Sequence, residues 1–193
     1  MTPVGIGIND KLGQEQLIPY NIFYIGALDW IPNQEGLIWF IEKVWPLILK
    51  KVPSVNFYIA GRNAPKWLEK VFEKPQIQFY GEIENATDFM TRNGIMVVPL
   101  FSGSGMRVKI VEGMALGKAI ISTSIGAEGI EAMNGQDLVI ADTITSFADD
   151  LIKLLSNNEL SKELSINAKE FVRKNYDNKF ISMNLHNFYK QYI

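Results

Sequence analysis

The sequence predicts a doubly wound α/β domain, one parallel sheet of about six strands with helices on both faces. Three observations carry this reading. Short apolar runs recur along the chain and alternate with longer segments of helical period. The runs are continuously apolar (IFYIG, IMVVP, AIIS), so both faces of each strand are expected to be covered. Glycine ends the first three runs, at Gly26, Gly61 and Gly81, where a strand must hand over to a helix.

Residues 22–26, 56–60, 77–80, 95–99, 119–122 and 138–141 read as strands. Residues 34–51 read as a helix that is apolar on most sides, through Leu37, Ile38, Phe40, Ile41, Val44, Trp45, Leu47 and Ile48. Short helices are expected at 65–72, with Pro65 near the first turn, and at 87–92. A helix spans roughly 106–116, and three more close the chain near 145–156, 159–174 and 178–192. No repeat, low-complexity stretch or second core is visible. Residues 21–193 therefore read as one domain and residues 1–20 as a start or linking segment.

A chain of 193 residues can bury a sizeable core, and 47% apolar with 21% charged residues is ordinary globular composition. A net charge of −2 argues against a nucleic-acid partner, which requires a dense basic surface. The chain has no cysteine, which excludes disulfides, thiolate metal sites and cysteine nucleophiles and fits a reducing, cytoplasmic setting. No apolar run has the length of a membrane span, and MTPVGIGIND lacks the basic start and apolar stretch of a signal peptide.

In a doubly wound sheet, ligands bind beyond the carboxyl ends of the strands, here the loops 27–33, 62–64, 82–86, 101–105 and 123–129. The richest is SGSGMRVKIVEGMALGKAIIST, residues 102–123. Ser102, Gly103, Ser104 and Gly105 occupy a strand-to-helix turn, where backbone N–H groups and the helix dipole make an anion site. Arg107 and Lys109 add two positive charges at a helix start that ordinarily prefers acids, so an external anion such as a diphosphate is the expected compensation.

Three-and-four spacing puts Lys109, Glu112, Gly113 and Leu116 on one face and turns Ile110, Val111, Met114 and Ala115 to the core. Glu112, one turn past the anion, can accept hydrogen bonds from a ribose diol. On these residues alone, an ordinary glycine turn with Lys109–Glu112 as a surface ion pair stands as an equal reading. The pattern is neither a Walker loop nor a dinucleotide fingerprint, since the first strand ends IGALDW.

Other candidates take structural readings. His186 reads as a structural or surface residue, and Trp30, Trp39, Trp45 and Trp67 as core or groove packing. Asp149–Asp150 reads as a solvated helix face and Asp29 as a turn or cap.

Residues 102–123 resemble the C-terminal signature of the group-1 retaining glycosyltransferases of family 4, with Glu112 to Gly117 (EGMALG) in its second acidic block. TSIGAEGIE, IGALDWIPNQEG, FYIAGRNAP and FYGEIEN resemble further ordered motifs, and the likeness covers nearly the whole chain. The resemblance implies the C-terminal, nucleotide-sugar-binding half of a GT-B fold, with TPVGIGIND as the join to an N-terminal acceptor domain that this chain lacks.

It further implies transfer of a sugar from a nucleoside diphosphate to an acceptor hydroxyl with retention, with the diphosphate sugar as donor substrate and no metal or other cofactor required. Any membrane association would come through the other half. By the same resemblance Arg107 and Lys109 hold the diphosphate and stabilise its charge as it leaves. Ser104 and Gly105 supply backbone donors, Glu112 binds the ribose, and main-chain groups at Glu82 and Ile83 read the base. The loop Gly126, Ala127 and Glu128 approaches the phosphates or ribose.

Ser104 departs from the family pattern by standing where many members have a sugar-contacting Glu. Ala27 and Glu35 stand near positions where many carry Arg and Lys, so phosphate neutralisation rests on Arg107 and Lys109. The competing classes are a non-catalytic nucleotide-binding scaffold, half of a nucleotide-sugar epimerase and, disfavoured by the absent fingerprint, a nicotinamide enzyme.

Overall fold

The computed structural model describes residues 20–190. Residues 1–19, which hold nearly all of the expected linking segment, lie outside the described residues, as does the expected end of the last helix at Tyr192. The strands are β1 (Asn21–Ile25), β2 (Asn56–Ala60), β3 (Ile77–Phe79), β4 (Ile95–Val98), β5 (Ile120–Ser122) and β6 (Val139–Ile140). They form one six-stranded sheet in the order β3-β2-β1-β4-β5-β6. Every pairing is parallel, with Ile22 beside Ile95 and Phe23 beside Met96 across the central pair. The order reverses between β1 and β4, so the crevice for a ligand opens beyond their carboxyl ends.

Eight helices flank the sheet among the described residues: α1 (Ile31–Trp39), α2 (Trp45–Lys51), α3 (Lys66–Phe72), α4 (Ala86–Arg92), α5 (Val108–Ala115), α6 (Ile144–Ser156), α7 (Asn158–Asn175) and α8 (Asn178–Lys190). Successive strand residues feed two separate cores. Ile22, Tyr24, Ile95, Val97 and Ile121 join Leu37, Phe40, Ile48, Phe147 and Leu151 of α1, the π segment, α2 and α6. Phe23, Met96, Val98 and Ile120 join Ile110, Val111 and Met114 of α5 and Ala168 and Val172 of α7. This is the period-2 alternation of a sheet covered on both faces, and it explains the continuously apolar strands.

The long helix expected at 34–51 starts earlier and changes pitch midway. It begins at Ile31 with Pro32 in the first turn, where a missing N–H costs nothing. Residues Phe40–Val44 form a π turn in which the Trp45 N–H bonds the Phe40 carbonyl five residues back. Pro46 is the cause: it has no N–H for the Glu42 carbonyl, and its ring would strike that oxygen in an ordinary α-turn. The helix of the signature starts at Val108 rather than 106, because Arg107 is extended at ψ 92° and Gly105 has a φ of +86°.

Two side chains in or beside the signature are structural. Lys118 donates to the carbonyls of Thr91 (2.9 Å) and Asn93 (2.8 Å), fixing the end of α4 against the α5–β5 turn. Thr123 donates to the Leu100 carbonyl and accepts from the amides of Leu100 and Gly126, which ties the loops after β4 and β5 together.

At α6, Thr143 and Ser146 cap each other's backbone in a capping box. Thr143→Ala should cost about 1 kcal/mol. In a chain of this size that appears as a fall of about 2–4 °C in the thermal midpoint, with no change in ligand binding.

Candidate functional site

The site is assembled by the loop after β1, the start of α1, the loop after β4 and the first turn of α5. Gly103 (φ +98°) and Gly105 (φ +86°) turn the 101–105 loop through conformations that a side chain would resist. A Cβ at Gly103 would also lie 2.8 Å from Arg107 Nη2 and 2.9 Å from the Trp30 ring. The loop thus closes down on the guanidinium.

Arg107 is only 8% exposed. Its Nη1 donates to the carbonyls of Ser104 (2.7 Å) and Gly105 (2.6 Å), and its guanidinium carbon lies 5.3 Å from the centre of the Trp30 ring. Its Nε and Nη2 are buried without a partner. One edge of the guanidinium shapes the loop and the other holds unspent donors. No side chain caps the start of α5. The Ile110 amide bonds the Arg107 carbonyl at 2.9 Å, whereas the amides of Val108 and Lys109 before it have no carbonyl of their own helix to bond.

Lys109 reaches from α5 to the carboxyl end of β1. Its Nζ lies 3.2 Å from Tyr24 Oη, 3.3 Å from Asn33 Oδ1 and 4.4 Å from the centre of the Tyr24 ring. Among the described residues no carboxylate pairs with it, so the ion pair with Glu112 that stood as the alternative reading does not form. Burial, and secondarily the Arg107 charge, bring its pKa down to about 7. Burial also holds the Tyr24 phenol well above its ordinary range.

Glu112 lies one turn further along, exposed at the residue level, and partial burial of its carboxyl raises its pKa. The shared face is narrower than its spacing predicts. Gly113 is buried, and a Cβ there would lie 2.8 Å from Met96 Sδ, so this position faces the sheet and not the crevice.

Ser102, exposed, donates to Glu35 Oε2 at 3.2 Å and links the loop to α1. Glu82 is exposed and Ile83 half-buried just after β3, which β2 separates from β1. In the loop after β5, the amides of Gly126, Ala127 and Glu128 already bond Thr123 Oγ1, the Thr123 carbonyl and the Ile125 carbonyl, which leaves the exposed Glu128 side chain.

Arg107, Lys109, Ser102, Gly103, Ser104 and Gly105 are therefore gathered around one turn, with Glu112 a helical turn away. Tyr24, Asn33 and Glu35 are part of the same constellation and were not singled out from sequence as site residues. Tyr24 reads as one more apolar strand residue. Asn33 is marked only by lying in a loop on the carboxyl side of the sheet.

Trp45 is buried, but Trp67 is 51% exposed on α3, whose inward face is taken by Leu68, Val71 and Phe72. Asp150 pairs with Lys153 at 2.7 Å, and Asp29 accepts from Asn63 at 2.9 Å. His186 is exposed on α8.

Fold and site together define a doubly wound α/β domain with two cationic side chains and an uncapped helix start at its topological switch point. The model of the family described as glycosyl transferases group 1 matches residues 19–157. The chain belongs to this family of glycosyltransferases. A 44.6 kDa protein of the cps region of Klebsiella pneumoniae, itself uncharacterised, is 32% identical over 171 residues, 82% of this chain and 43% of that protein.

S. aureus TarM, solved in complex with UDP and alpha-GlcNAc-glycerol, superposes with a TM-score of 0.79 at 18% identity over 95% of this chain and 38% of its own. The C-terminal domain of LpcC, a group 1 glycosyl transferase from Francisella tularensis, gives a TM-score of 0.67 at 25% identity, covering 82% and 87%. The architecture is that of the GT-B glycosyltransferases. The chain spans less than half the length of the curated relatives it matches.

Proposed function

We propose that this chain is the donor-binding half of a retaining glycosyltransferase that takes its sugar from a nucleoside diphosphate. One observation carries the reading. At the switch point, two cations and an uncapped helix start lie together beyond the carboxyl ends of β1 and β4, and no carboxylate pairs with either cation among the described residues. Uncompensated positive charge held by a buried arginine and a half-buried lysine calls for an anion of matching charge. The group 1 family match and the UDP held by TarM agree with a nucleoside diphosphate.

In this reading Lys109 and the first amides of α5 bind the diphosphate, and the free edge of Arg107 adds to their field. As the glycosidic bond breaks, negative charge grows on the leaving diphosphate. Groups fixed in advance around it stabilise that charge without reorganising. Glu112 accepts from the ribose hydroxyls a turn away, where it does not crowd the phosphates. Main chain near Glu82 and Ile83 meets the base, Glu128 and its loop border the donor, and Ser104 meets the sugar in place of a carboxylate. The acceptor is held by a partner domain outside this chain, so the chain alone binds donor product weakly and transfers nothing.

Calorimetric titration with UDP, GDP and ADP tests this directly. One nucleotide should bind with micromolar to millimolar affinity, and Glu112→Ala should weaken it about tenfold through loss of the charge-assisted bonds to ribose. Absence of binding by all three nucleotides, or unchanged affinity in the variant, would remove the assignment.

A further inference from the structure

The ammonium of Lys109 sits in a built socket. Tyr24 Oη from β1 and Asn33 Oδ1 from α1 approach it at 3.2 and 3.3 Å, and the Tyr24 ring lies beneath it at 4.4 Å. The Asn33 amide is oriented by its own Nδ2, which donates to the Ala27 carbonyl at 2.7 Å and so turns Oδ1 toward the lysine. Gly26 leaves the space between them open: a Cβ there would lie 2.8 Å from Tyr24 Oη, 3.2 Å from Lys109 Nζ and 3.3 Å from Asn33 Nδ2. Tyr24 and Asn33 are themselves buried, at 1% and 5% exposure.

We propose that Tyr24 and Asn33 are positioning residues that hold the Lys109 ammonium at the end of β1 as an uncompensated charge, and that a nucleoside diphosphate therefore binds this site together with a proton. This rests on the donor-site reading above.

Both socket partners are neutral oxygens, so they orient the ammonium without cancelling its charge, as a carboxylate would. The charged groups around it are Arg107 on its own helix, of the same sign, and Tyr24, whose phenol is held protonated. Glu35 of α1 is engaged by Ser102, and Glu112 lies a turn away with no bond to Lys109. With no anion to stabilise it, the buried ammonium gives up its proton easily, at a pKa of about 7. A bound diphosphate supplies the missing negative charge and restores the proton. The site thus takes up one proton from solvent onto Nζ as the anion enters, and affinity falls as pH rises through the lysine's own pKa.

The test is calorimetric titration of the chain with UDP, GDP and ADP at pH 6 and pH 8, in buffers of different ionisation enthalpy, which counts the protons exchanged. At pH 8 the nucleotide that binds should take up close to one proton and bind several-fold more weakly than at pH 6. Lys109→Met should abolish the uptake. Tyr24→Phe keeps the ring and removes only the acceptor; it should weaken binding about fivefold at pH 8 and recover most of the loss at pH 6. Asn33→Ala should follow the same pattern. Binding without proton uptake, or Tyr24→Phe and Asn33→Ala titrating as wild type at both pH values, overturns the socket and leaves the donor site standing. Failure of all three nucleotides to bind at either pH overturns both.

Discussion

Gly36→Ala is expected to destabilise the domain by at least about 3 kcal/mol, beyond the usual cost of an overpacked site. A Cβ at this position of α1 would stand 1.6 Å from the Pro99 carbonyl oxygen and 2.8 Å from its carbon. Both are backbone atoms at the end of β4, so no side-chain rotation relieves the collision and α1 must move off the sheet. That displacement would also carry Asn33, one turn earlier on the same helix, away from Lys109. The thermal midpoint should fall by about 6–12 °C, and nucleotide affinity should fall with it. Gly105→Ala is the control. Nothing lies within 4 Å of a Cβ there, so only the strain of φ +86° opposes it, about 1 kcal/mol.

Lys109→Met should have the largest effect on binding, a thirty- to hundredfold loss of nucleoside diphosphate affinity, corresponding to about 2–3 kcal/mol for a partly buried cation facing an anion. Its effect on stability has a definite sign with pH. The folded pKa is about 7 against an ordinary value of 10.5, so between these values the unfolded chain holds more protons than the folded one. Wild-type stability therefore gains from this residue as pH rises from about 7 toward 10, and the cost of burying the ammonium is complete below 7. In the difference between wild-type and Lys109→Met denaturation curves, that slope should appear across the window and vanish below it. A flat difference from pH 6 to pH 10 would show that the ammonium is not desolvated in the fold.

Much of the fold is legible in the residues, for reasons that can be named. The continuously apolar runs IFYI and IMVV feed two cores at once, and only a sheet covered on both faces permits that. Boundaries were less legible wherever tertiary geometry overrides pattern. Pro46 inside a strongly apolar helix marks a fault, but whether the chain kinks, breaks or widens to a π turn depends on how Phe40 and Trp45 pack against Phe57.

The candidate site divides in the same way. Arg107, Lys109 and Glu112 stand out because charge at a helix start after a glycine turn has no local use. Tyr24 and Asn33 do not stand out. A tyrosine in an apolar strand looks like core, and Tyr24 is core on one side of its ring. Its second role depends on a lysine 85 positions away. The apolar pattern likewise could not show that Gly113 faces the sheet, because a glycine leaves no side chain to read.

In the binding mode we propose, a nucleoside diphosphate lies between the carboxyl ends of β1 and β4, with its diphosphate on the start of α5 and its ribose at Glu112. The most direct measurement is an amide NMR titration of the labelled chain with UDP, GDP and ADP. Saturable shifts are expected to concentrate at Gly103, Gly105, Val108, Lys109 and Glu112, with a smaller set after β3 near Glu82 and Ile83. Shifts confined to another surface of the domain, or none with any nucleotide, would contradict it.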